Sequence, residues 1–258
     1  MIRRVHGESI VLLGGARALL LQVAHPAVAA AVTEHSTFRH HRLERLLRTL
    51  RPTLSIVFGD TSEVSAAAGA INAVHGRIHS PDYDATDPAL AFWVLATLID
   101  TALLMHALFL VPLDADEAQA YYEDMLDAGS LLGIDRDHVP PDIPAFRRYM
   151  EEMLATLEVT SAARQIAADL FAGPTLLRPL LYPLASLGNG LLPAAIRTGY
   201  GLKWGPGRQR VLNMSAAAVR TVLPRLPRVL RAPPSFLLPK GSGQATRRRF
   251  QVSSSRRR

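Results

Sequence analysis

Apolar positions recur along this chain at three- and four-residue spacing. No alternation of period two persists, so the predicted elements are helices. Residues 9–33 read as one helix bent near Pro26, because a proline interrupts the hydrogen-bond ladder. Residues 39–50 form a shorter helix with Leu43, Leu46, Leu47 and Leu50 on one side, and Pro52 predicts its end or the start of the next. A helix is expected over 61–79, capped by Thr61 or Ser62. Residues 80–88 read as a loop, with Asp87-Pro88 suited to opening a helix over 89–110. Further helices are expected over 114–132, closed by Gly133, then over 143–157 and 161–170. After Gly173, prolines at 174, 179, 183, 193 and 206 predict short or kinked helices, and 208–223 is helical in pattern. These elements make one all-α domain over residues 1–238. Residues 239–258, rich in Gly, Ser and Arg, read as a disordered basic tail.

Composition supports helix over strand. Of the chain, 48% is hydrophobic but only 6% aromatic, and the apolar mass is Leu, Ala and Val. The absence of cysteine excludes disulfides, thiolate metal sites and Cys nucleophiles, so any metal must use His or carboxylate or arrive inside a cofactor. The net charge of +7 hides an asymmetry. From Lys203 onward there are 14 Lys/Arg and no Asp/Glu, whereas residues 1–202 hold 15 basic and 22 acidic residues. Such a tail suits anionic lipid, nucleic acid or an acidic partner, while the body shows no nucleic-acid footprint. No secretory signal is convincing, because Gly14, Gly15 and Arg17 interrupt the first apolar run. A cytoplasmic protein is expected, with peripheral membrane contact through the tail. The stretches 10–32 and 89–113 are long enough to span a bilayer, but each carries ionisable groups near its middle, as core helices of a bundle also do.

Four groups of residues could carry chemistry, and each has a bland counterpart. His25, before Pro26, reads as a cofactor-pocket group or as a hydrogen-bonded core histidine. Arg45 and Thr49 share a helix face, with Arg48 adjacent; they suit a propionate, a bound oxygen species or a carbonyl, or else form a solvated basic edge. His75 follows the small-residue run 65–70, which lets a flat macrocycle approach, and a neutral imidazole is the usual axial ligand of haem. A lone helical histidine is more often structural, and His79 competes one turn later. Asp100 and His106 interrupt the most apolar helix, as pocket lining or as groups bonded to neighbouring helices. No phosphate-binding glycine loop, His-Glu-x-x-His or Gly-x-Ser-x-Gly pattern occurs.

Several segments stand in a fixed order: Gly14–Gln22, Ala24-His25-Pro26, His35-Ser36-x-Phe38, Arg45–Thr49, Val57-Phe58-Gly59, Val74–Ile78, Asp87-Pro88, Trp93–Asp100 and Tyr200-Gly201-Leu202. Together they resemble the latex-clearing-protein (rubber oxygenase) and MpaB-type oxygenase family. The resemblance implies a globin-like helical bundle with additional helices that holds one haem b. It places the iron ligand at His75 and distal or propionate-binding groups at Arg45, Arg48 and Thr49, with His25 as a further pocket residue. The implied activity is oxygenation of a hydrophobic, isoprenoid or lipid-like molecule by dioxygen. This chain departs from the pattern at three places. Arg48 stands where rubber-cleaving relatives have lysine, and Leu95 where many relatives have histidine. Glu34 is the nearest candidate for the acid those relatives use as a base. A haem-binding sensor or carrier, or a cofactor-free membrane-associated protein, are the alternatives.

Overall fold

The computed structural model describes residues 1–35, 42–80, 83–171 and 178–239. The basic tail beyond Pro239 and the Ser36-x-Phe38 segment lie outside the described residues. The order begins with α1 (Ile2–Val5), a 3-10 turn at Ser9–Gly14, α2 (Gly15–Ala24) and α3 (Pro26–His35). It continues with α4 (Arg42–Phe58), α5 (Thr61–His75), β1 (His79–Ser80), β2 (Tyr83–Asp84), α6 (Pro88–Phe109) and α7 (Ala115–Ser130). Then come α8 (Ile143–Thr156), α9 (Ser161–Phe171), α10 (Arg178–Leu191), α11 (Ala194–Gly199), α12 (Pro206–Val222) and α13 (Arg228–Arg231). The all-α expectation holds.

The core is organised around α6. Asp87 caps its first turn by accepting from the Ala89 N–H, and Pro88 occupies a position that needs no amide hydrogen. The helix is apolar on every side because α2, α7, α12 and the Ser9–Gly14 turn all pack on it. Trp93, Ile99 and Met105 are fully buried, each contributing roughly 1.5–3 kcal/mol through the apolar surface it removes from water. By length and composition α6 would also cross a bilayer, yet half of its most apolar stretch is buried inside the protein. Gly14 marks the closest approach of the preceding turn: a Cβ there would lie 2.6 Å from Thr101 Cγ2.

Several expectations change. The helix expected over 9–33 is two helices meeting at 101°, with His25 alone in extended conformation between them. Pro26 opens α3 instead of bending a continuous rod, which is the position proline tolerates best. Pro52 does not end α4. The helix runs through it to Phe58 and buries Leu54 and Val57, which offsets the single backbone bond a proline forfeits. The cap of α5 is Asp60, one residue before the expected Thr61 or Ser62. Its carboxylate accepts from the Ser62 and Glu63 amides, while Glu63 reaches back to the Asp60 N–H. That helix ends at His75, not 79. The expected loop after it contains an antiparallel pair, His79 opposite Asp84 and Ser80 opposite Tyr83. After Gly173, α10 is a full fourteen residues despite Pro183. Gly133 turns the chain after α7 as expected, at φ +83°, a conformation that favours glycine.

Candidate functional site

The α2–α6 interface is apolar except for one line of polar contacts along its length. At one end the buried Arg17 guanidinium donates from Nη2 to Asp100 Oδ2 (2.6 Å) and from Nη1 to Thr101 Oγ1 (2.6 Å). Its Nε donates to the Leu191 carbonyl at the end of α10 (2.9 Å). One turn and a half along α2, Gln22 Nε2 donates to Thr97 Oγ1 (3.1 Å). Trp93 Nε1 then donates to the Gln22 carbonyl (3.3 Å), which also accepts the capping bond from the His25 N–H (3.2 Å) at the break after Ala24. The Trp93 ring stands 6.5 Å from that of His25.

The line ends at His25. Its Nδ1 is buried and has no hydrogen-bond partner. Burial lowers its pKa, the nearby Asp87 carboxylate opposing the effect without reversing it. A buried, unpartnered nitrogen is costly in a finished core, and it marks a place where the protein presents a polar atom without using it itself.

His75 sits at the last residue of α5. It falls at helical spacing from Ala68 and Ile71, on the side of α5 that also carries the buried Ala67. The ring is half-buried and no hydrogen bond from the described residues holds it, while burial keeps its pKa below the ordinary value. Its neighbour Asn72 donates to the Leu131 carbonyl at 3.0 Å, tying the end of α5 to the end of α7. No described hydrogen bond or ring contact joins His75 to His25. His79, the competing ligand, is exposed on β1. Glu34, the candidate base, lies exposed at the end of α3 and accepts from the Tyr83 hydroxyl at 3.0 Å, which fastens the small hairpin to α3. Arg45, Arg48 and Thr49 fall within α4, but their side chains lie outside the described part of the structure.

Leu95, where many relatives have histidine, is buried against α7. A Cβ on Gly129 would lie 2.7 Å from Leu95 Cδ2. Asp100 and His106 prove to be bonded to other elements, Asp100 to Arg17 and His106 Nε2 to the Val5 carbonyl at 3.4 Å. Sequence reasoning missed Arg17, Gln22, Thr97 and Thr101 as partners. The signal was present: both long apolar stretches carry polar residues at three- to five-residue spacing, with one unpaired cation and one unpaired anion between them.

Residues 3–221 match the family described as ER-bound oxygenase mpaB/B'/Rubber oxygenase, catalytic domain. The chain belongs to that family. Two uncharacterized proteins, one from Mycobacterium bovis and one from Mycobacterium tuberculosis, are each 27% identical to it over 216 residues. That stretch is 78% of this chain and 84% of theirs. No solved structure matches at a significant level. Membership of the mpaB/rubber oxygenase family makes oxygenation of a small molecule the general chemistry of the fold. The matched span includes the whole α2–α6 line and His75.

Proposed function

We propose that this chain is a haem b oxygenase whose single catalytic domain, residues 1–238, acts on a hydrophobic small molecule and takes its axial ligand from His75. The observation that carries the proposal is the state of that side chain. It is an imidazole at the inward edge of a helix, preceded on the same side by Ala67 and Ala68, with no hydrogen-bond partner for either nitrogen among the described residues. The donor chemistry suits the group. Among the described residues no three His, Asp or Glu side chains could hold a bare ion together, whereas an iron already held by a porphyrin needs only one imidazole from the protein. Haem, when bound, supplies the iron that activates dioxygen.

The protein's own part is binding, orientation and exclusion of water. His25 offers its unpartnered Nδ1 to an oxygen atom of the cofactor or substrate, and the Trp93 contact holds its ring in place. Arg45, Arg48 and Thr49, by the family resemblance, bind the propionates or the distal oxygen. Arg48 acts as a cation and hydrogen-bond donor there, since a guanidinium stays protonated and does not ligate iron.

The test is the absorption spectrum of the freshly purified protein with its iron content. A Soret band with about one iron per chain is expected. His75→Ala should lose the band, and oxygen uptake with an unsaturated hydrocarbon should require it. A colourless protein that also refuses added haem overturns the reading.

A further inference from the structure

Ten large hydrophobic side chains are exposed among the described residues, and six of them fall between 211 and 236: Val211, Met214, Val222, Val229, Leu230 and Phe236. Their concentration traces to the build of α12. This helix packs Ala216, with Leu212 and Val219, toward α6 and α10. A second apolar row, Val211, Met214, Ala218 and Val222, recurs at spacings of three and four on the far side, where Met214 is 73% exposed. A helix that needs only one apolar face for its core has been given two.

The exposure is held in place. Arg220 donates to the Ala107 and Leu108 carbonyls at the end of α6, fixing the C-terminal half of α12. Arg231 pairs with Glu8 at 2.7 Å, fixing α13 with Val229 80% exposed and Leu230 beside it. Phe236 is exposed while Leu237, next to it, is buried. These apolar groups therefore face outward on anchored backbone.

The charges carried by this stretch of chain are of one sign. Lys203, Arg208, Arg210, Arg225 and Arg228 are exposed on the same stretch, and the chain has no Asp or Glu after Asp169. A partner for this surface must be both anionic and able to receive aliphatic side chains. Nucleic acid supplies the charge, but its base contacts reward aromatic stacking and polar readout, and this row contributes Val, Met and Leu. A second copy supplies apolar surface but brings the same cations, which repel. A bilayer with anionic headgroups supplies both.

We infer that the outer face of α12 with α13 is a docking surface for anionic lipid bilayers, which seats this face of the protein on the membrane. The inference is independent of the haem assignment. Long Arg side chains would reach phosphates while Val211, Met214, Val222, Val229 and Leu230 enter the acyl boundary.

The experiment is co-sedimentation of the full chain with phosphatidylcholine vesicles, with and without phosphatidylserine. Binding to the doped vesicles should be at least roughly tenfold tighter and should weaken in high salt, as charge screening requires. The V211S/M214S/V222S variant, and separately V229S/L230S, should each lower binding by roughly tenfold, because insertion scales with apolar area. Both alter exposed positions, so circular dichroism should be unchanged. Undiminished binding by both variants would assign any attachment to residues 240–258 and overturn the inference. It would equally fail if no vesicle binding occurs and the same substitutions instead dissolve a dimer.

Discussion

Replacing Arg17 should show what its buried guanidinium contributes. In Arg17→Met three acceptors lose their donor at once: the Leu191 carbonyl, the Thr101 hydroxyl and the Asp100 carboxylate. An unsatisfied buried carbonyl costs about 1–3 kcal/mol. Thr101 loses less, since a helical hydroxyl can turn to a carbonyl of its own helix. Removing one partner of a buried ion pair costs about 3–5 kcal/mol, but the Asp100 side chain is 30% exposed and recovers part of its hydration. The expected destabilisation is about 3 kcal/mol. Arg17→Met/Asp100→Leu leaves no charge behind and should cost only about 1 kcal/mol, since an apolar pair often replaces a buried ion pair at little loss. Urea unfolding followed by circular dichroism gives both values, and the double-mutant cycle isolates the coupling. A coupling below about 0.5 kcal/mol would refute the argument, because exposed pairs already reach that value.

Other outcomes follow from the same geometry. His25→Phe should retain stability yet weaken haem binding or shift the Soret band, whereas an unchanged spectrum and affinity would leave His25 no pocket role. Gly129→Val drives side-chain atoms into Leu95 and Ile134 and should cost about 1–3 kcal/mol, read from the urea midpoint; Leu95→Ala in the same chain should recover part of it. His6, held against the Tyr121 hydroxyl at 3.0 Å, has its pKa pushed down to about 4 by burial, with His106 acting in the same direction. The unfolded chain binds that proton near pH 6.5, so stability is full above that pH and falls between 6.5 and 4 by up to about 3 kcal/mol. Unfolding midpoints measured across that range should decline on acidification, and His6→Gln should flatten the decline.

Helix type was largely legible because long apolar periodicity is the strongest local signal, and α6, α7 and α8 begin where acidic caps precede the apolar run. What the sequence hid was set by tertiary context. Pro52 and Pro183 sit inside helices because neighbouring apolar positions secure the helix against one lost bond, and nothing local to a proline reports that. The corner at His25 looked like a kink because Pro26 serves equally as an interrupter or as a first residue. The two paired strands, His79–Ser80 and Tyr83–Asp84, are too short for alternation to appear. For the site, His25 and His75 were visible as residue types, whereas the partners of Arg17 lie 83, 84 and 174 residues away and no spacing rule reaches that far.

The polar line between α2 and α6 also decides which of many similar packings the bundle adopts. Leucine and alanine faces slide past one another at small cost, and a shift of about 5.4 Å, one helical turn, would present another apolar face of nearly equal quality. That same shift would move the Arg17 guanidinium off Asp100 and Thr101, to Leu104 and Met105 in one direction or to Ala96 and Thr97 in the other. The contacts of Arg17 and Gln22 thus act as an index mark between two otherwise interchangeable surfaces. Exchanging them for well-packed hydrophobic residues should give a protein that loses little resistance to urea but populates several alignments of α2 on α6.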